Sequence, residues 1–331
     1  MTNIEAAFTN REEKGSLVDV QEFNADWRAV GSYSYRVSDE SLAYSIGALI
    51  SAFDPDNTGK VSQTKFYKLL YILSADLMNR GVDIKLPYFW YRHGPVVPYA
   101  FLPGGIIELR SMDWNKYQGK WVLLRNRRLP TRIASSNKEL IDDSVALLWD
   151  NYSNAKTPKI VMDVYSMAPH PFQREYKNFI KYIRHKVSDR DILCKVQGLR
   201  EKEDVSRLER AVDIFDESEF PQIYDDLLQW KTLTKYSINQ LSTIDSKFIL
   251  DLSSIYWDKL FCMFLRVKEY RNLPDALISK WERELPAKQD GYEQNFEELE
   301  TKFYSSIYRP SGGLNKDICN AYCECLKSIL K

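Results

Sequence analysis

The chain has 331 residues, 44% apolar and 28% charged, with 46 basic side chains balanced by 46 acidic ones. That composition excludes a disordered chain and suits about two folded domains. A net charge of zero excludes a whole-molecule electrostatic drive toward nucleic acid or anionic lipid and leaves only local patches for such partners.

Residues 1–36 are polar and weakly patterned, and MTNIEAAFTNREEKGS has no apolar signal core; a partly ordered arm is expected. A helix is predicted after Ser38, with Leu42, Ile46, Leu49, Ile50 and Phe53 on one face; the run Asp54-Pro55-Asp56-Asn57-Thr58-Gly59 is turn chemistry that ends it. Ser62 is the predicted N-cap of the next helix. Its stripe is Phe66, Leu69, Leu70, Leu73 and Leu77, and Gly81 is its terminating glycine. Val82 to Arg92 is β-branched and aromatic around Pro87, which predicts an extended, edge-like strand. Trp114 to Ala134 predicts two short strands about a glycine turn.

A helix over about 137–153 follows, with Leu140, Val145, Leu148 and Trp149 inward, then a short helix over 158–167. Phe172, Tyr176, Phe179, Ile180, Ile183 and Val187 form a further helical stripe. Beyond about Gly198 the chain reads as helix almost throughout, in segments 203–217, 219–232, 236–250, 252–271, 274–285, 292–307 and 315–330. The expected fold is mainly α with a small β element (α+β). Its expected divisions are an arm (1–36), an interaction domain (37–190) and a helical C-terminal domain (191–331).

No stretch of about 18 apolar residues occurs, so no membrane partner is expected. Five cysteines, odd in number and unevenly placed, predict a reducing, cytoplasmic setting and no disulfide framework. Cys319, Cys323 and Cys325 have the wrong spacing for a zinc site and read as structural thiols. Asp54, Asp56, Thr58 and Gly59 match the opening of a calcium loop, but Lys65 stands where a bidentate Glu belongs, so a turn is expected. The three histidines, His93, His170 and His185, are few for acid–base chemistry. No phosphate loop, nucleophile elbow or metalloprotease motif occurs. No His follows His185, which disfavours a ribonuclease-like helical bundle. No catalytic residue, cofactor or metal is therefore expected. One local basic concentration surrounds the predicted hairpin and includes Arg125, Arg127, Arg128 and Arg132, interleaved with Trp114, Tyr117 and Trp121. It reads either as a nucleic-acid surface or as a solvated strand pairing with acids such as Asp142 and Asp143.

Two stretches carry a family resemblance. Thr64-Lys65-Phe66-Tyr67-Lys68-Leu69-Leu70-Tyr71, followed by Trp90-Tyr91-Arg92-His93-Gly94-Pro95-Val96-Val97-Pro98, resembles the paired motifs of the Panacea domain, the SocA-like or GepA-like family of phage-associated antitoxins. Tyr165 to Phe172 is similar to a later element of that family. The likeness spans residues of about 40–180; His93 replaces a usual Tyr, and the chain is about twice as long. The resemblance implies a non-enzymatic protein-binding module, antitoxin-like or protease-adaptor-like, in a toxin–antitoxin or phage-defence setting. Its partner would be a toxin or a protease system. The residues expected to bind it are Lys65, Lys68, Tyr71, Tyr88, Trp90, Tyr91, Arg92, His93, Gly94 and Pro95. A preorganised aromatic ribbon stiffened by Gly-Pro suits that role because little order is lost on docking.

Overall fold

The computed structural model describes residues 22–28, 36–37, 39–114, 117–125, 133–188, 197–239 and 246–307. The described chain is mainly helical with two small antiparallel sheets, the α+β class expected. It divides into two compact units: residues 1–168 with 265–283, and residues 169–264 with 284–331.

In the first unit, residues 22–28 form a helix (α1). Helix α2 (Glu40–Phe53) is capped by the Asp39 carboxylate, which accepts from the Leu42 amide at 2.9 Å. Its predicted stripe is buried. Helix α3 (Gln63–Asn79) starts at Ser62, whose hydroxyl accepts from the Lys65 amide. It ends at Gly81 (φ +84°), with the Gly81 and Val82 amides closing on the carbonyls of Met78 and Leu77. This is the left-handed stop that glycine alone adopts cheaply. Helices α4 (Ser135–Tyr152) and α5 (Thr157–Ser166) pack on α3.

The first sheet has the order β1 (Val61–Ser62), β5 (Tyr117–Leu124), β4 (Ile107–Trp114). The hairpin thus starts earlier than expected. Gly119 lies inside β5 opposite Met112, not at the turn, because Trp114 pairs directly with Tyr117. The second sheet has the order β3 (Gly94–Val96), β2 (Tyr88–Tyr91), β6 (Tyr270–Arg271). Strand β2 is therefore central, not an edge. Its second partner returns from far along the chain, and Pro87 sits just outside the strand, where its missing N–H costs no ladder bond.

The second unit holds α6 (Pro171–Ser188), α7 (Gln197–Asp213), α8 (Tyr224–Asn239), α9 (Ser246–Ile255), a π-helical turn (Tyr256–Phe261) and most of α11. Helix α10 (Cys262–Lys268) follows the π turn, and α11 (Asp275–Ile307) runs on through Pro286. Two helices predicted at 274–285 and 292–307 are thus one. The predicted helix 252–271 instead ends before strand β6. The core of this unit is aromatic: Phe172, Tyr176, Trp230, Tyr256, Trp257 and Phe261 are all buried, with Tyr176 stacked on Trp257 at 4.7 Å and Trp230 on Tyr256 at 5.3 Å. Such ring contacts add to the area they remove from water. The predicted helix 315–330 and its three cysteines lie outside the described residues.

The unit boundaries differ from the expected ones. The cut falls at 168/169, not 190, and residues 265–283 belong to the first unit. Residues 22–28, expected within the arm, are part of that unit's core: Phe23 and Trp27 are buried against Phe101, and Phe23 stacks on Phe89.

Candidate functional site

The two motifs of the resemblance meet at one side chain. Lys68 projects from the middle of α3 and is 2% exposed. Its Nζ donates to the His93 carbonyl at 2.5 Å and the Pro95 carbonyl at 3.1 Å. The turn between β2 and β3 is thereby tied to the helix. Gly94 adopts φ +87°, and a Cβ placed there would stand 3.1 Å from Lys68 Nζ. The positive φ requires glycine here, and the close approach of Lys68 adds to the preference. An ammonium is costly to bury unless its donors are satisfied, and the turn presents its carbonyls for that purpose.

Around this staple the aromatic residues lock together. Trp90 Nε1 donates to the Tyr71 hydroxyl at 3.3 Å, and Tyr71 packs edge-on against both Trp90 and Tyr88. Burial is the main force raising the Tyr71 hydroxyl to about 12. Tyr165, from the third stretch of the resemblance, donates to the Arg92 carbonyl at 3.1 Å and sets its ring against Trp90. Tyr91 is buried, which pushes its hydroxyl well above the ordinary value; that hydroxyl donates to Glu22 at 2.9 Å. Arg92 pairs with the same Glu22 at 3.0 Å and lies over the Tyr91 ring.

Sequence reasoning missed the charged network behind this ribbon. Arg266, 2% exposed, pairs with Asp26 at 3.3 Å and lies over the Trp281 ring at 4.7 Å. Asp26 also accepts from Trp281 Nε1 at 2.8 Å and from Lys280 at 2.7 Å. The partners are some 240–255 residues apart, so no local spacing betrays them. Pairing offsets part of the cost of burying these charges, and it ties α1 to the segment that returns at 265–283.

The expected partner-binding set therefore lies differently from the reading of an open docking ribbon. Lys68, Tyr71, Trp90, Tyr91, Gly94 and Pro95 are interior. They hold the fold, because α3 covers one side of the ribbon, α1 residues pack on the other, and β6 pairs along its second edge. Tyr88, Arg92 and His93 are half-buried. Lys65 is half-buried. Its Nζ donates to the Tyr152 and Ala155 carbonyls at 3.2 and 3.4 Å, closing the end of α4, and burial lowers its pKa. Of the basic hairpin, Arg125 is exposed, and its amide donates to the Ile106 carbonyl at 2.8 Å. Arg127, Arg128 and Arg132 lie outside the described residues.

The calcium-like loop uses its oxygens internally. Asp54 is 1% exposed and accepts from the amides of Thr58, Gly59 and Lys60 and from the Thr58 hydroxyl. Burial alone would raise its pKa; these donors overcome that and hold the carboxyl below its usual range. Asp56 pairs with Lys60 at 3.1 Å. His170 packs its ring against Phe220 at 4.8 Å and its amide donates to Gln173. No three His, Cys, Asp or Glu side chains converge as a metal requires, among the described residues. No described helix is long and apolar enough to cross a membrane. No family model matches this chain. Curated proteins and solved structures gave no match either.

Proposed function

We propose that this chain works by binding a protein, in the manner of Panacea-domain antitoxins and protease adaptors, and that it makes and breaks no covalent bond in doing so. The observation that carries this reading is the Lys68 staple: it joins the helix motif and the Gly-Pro motif into one rigid element. A face built on that element meets a partner with little left to order. The interior members of the set hold the face, and its contacts fall to the residues still reached by solvent: Lys65, Tyr88, Arg92 and His93. Toxin neutralisation and phage defence belong to this proposal through the resemblance alone. A nucleic-acid role would rest on Arg125 among the described residues, and no observation favours it.

The test is co-purification of the tagged full chain with the products of its flanking genes. A stoichiometric partner, lost in a Tyr88→Glu, His93→Glu double variant that melts normally, is the expected result. A chain that stays alone and relieves the toxicity of neither neighbour overturns the protein-binding reading. A partner held equally by the double variant overturns the assignment of the face.

A further inference from the structure

In the second unit, α8 and the later part of α11 border a groove of about 740 Å³. That volume is in the range of small-molecule sites. Among the described residues its walls carry five carboxylates, including Asp225, Asp226, Glu293 and Glu297, and no Lys, Arg or His. None of these four named acids makes an ion pair among the described residues, and Glu293 and Glu297 are exposed. Aromatic side chains lie between them: Tyr236, 47% exposed, from α8, and Phe296 and Tyr292 from α11.

Tyr292 supplies an independent sign of a ligand. It is 1% exposed, lines the groove, and its hydroxyl has no hydrogen-bond partner among the described residues. After burial, the fields of Asp226 and Glu293 are what most raise its pKa. The hydroxyl therefore lies within the negative field of both carboxylates. An unsatisfied buried hydroxyl is costly, and a polar ligand in the groove would relieve it.

The carboxylates of α11 are strung out rather than gathered. Glu293, Glu297 and Glu300 recur at spacings of four and three along one face. Four residues of helix advance about 6 Å, close to the separation that about four methylenes put between two ammonium groups. Rings between carboxylates suit the methylenes and, through their faces, the cations. A metal ion wants its oxygens at one point, and no such convergence exists among the described residues.

We propose that this groove binds a free linear polyamine, with its ammonium groups at Asp226, Glu293 and Glu297 and its methylenes over Tyr236 and Phe296. Asp226 adds a pH dependence. Burial lifts its carboxyl to about 6, with Glu293 and Asp225 adding to the rise and the hydrogen bond from Gln289 at 3.0 Å opposing it. The groups facing it are Asp225 on its own helix, Gln289, Tyr292 and Glu293 on α11, and Tyr256 on the π turn. Cation binding requires the charged carboxylate, so affinity rises as pH climbs through about 6.

Titration calorimetry of the full chain with spermidine at low salt tests this. The expected result is saturable binding at least tenfold weaker in a Glu293→Gln, Glu297→Gln double variant. Tyr292→Phe should weaken it severalfold, and Glu108→Gln in the first unit should leave it unchanged. Affinity should fall at least threefold from pH 7.5 to pH 5. Both glutamates are exposed, so the double variant is expected to keep the parent's melting temperature. No saturable binding, equal affinity in the double variant and the parent, or competition by magnesium at the concentration of spermidine overturns the proposal. So does a lysine-rich peptide that binds this groove while spermidine does not.

Discussion

At the scale of single residues, the chain spends several charges on its own interior. Lys68 is the clearest case: the sequence pattern allows a lysine at that turn of α3 to be solvated, yet it is buried on two carbonyls. Lys68→Met keeps the bulk and removes the donor, so the carbonyls of His93 and Pro95 lose their partner. A loss of about 2–4 kcal/mol in urea denaturation is expected, and a change below about 0.5 kcal/mol would show that the staple contributes nothing. Asp226 gives a prediction of opposite kind. The unfolded chain releases this proton in the ordinary carboxylate range, whereas the folded chain holds it to about pH 6. Folding is thus penalised as pH rises from about 4 to 6, by about 3 kcal/mol once the proton is lost. Asp226→Asn should raise the urea midpoint at pH 7.5 and leave it nearly unchanged at pH 4. Equal gains at both values would exclude titration as the cause. The cap of Ser62 and the stop at Gly81 were legible because each is a local bargain between one residue and its neighbours. The burial of Lys68 was not, because its acceptors lie 25 and 27 residues away.

At the scale of elements, periodicity identified helices well and strand environments poorly. The stripe of α6 from Phe172 to Ile183 is buried as its spacing predicts, since helical period is a property of the segment itself. Trp149 was placed inward with Leu148 but is 42% exposed, and Ile141 and Ser144 take the interior instead. Its ring meets Phe53 edge-on at 5.4 Å, so hydrophobicity alone misjudged which side of α4 faces the core. Helix α11 runs through Pro286, an exposed residue at which two separate helices were expected. Proline within a helix costs up to about 3 kcal/mol through the missing N–H and ring crowding. Pro286→Ala should therefore stabilise the chain by about 1–2 kcal/mol; a lower urea midpoint would mean that a bend at this residue is part of the packing.

At the scale of the whole molecule, the first unit is discontinuous: it needs residues 265–283 for strand β6, Arg266 and Trp281. A fragment of residues 1–190 lacks all three, leaving β2 with one open edge and Asp26 and Glu22 without their buried cation. Such a fragment should lose near-ultraviolet circular dichroism and aggregate. A soluble, cooperatively melting 1–190 would show that the returning segment is dispensable. The sequence alone determined the stripes of α2, α3 and α6, the Ser62 cap, the Gly81 stop and the α+β class. Each follows from interactions within a few residues, where propensity and spacing act directly. Only the tertiary structure decided that the aromatic ribbon is a central strand, that α1 belongs to a core, and that acids of α8 and α11 border one groove. Those outcomes depend on which distant segments exclude water from one another, and burial of that kind leaves no mark on local spacing.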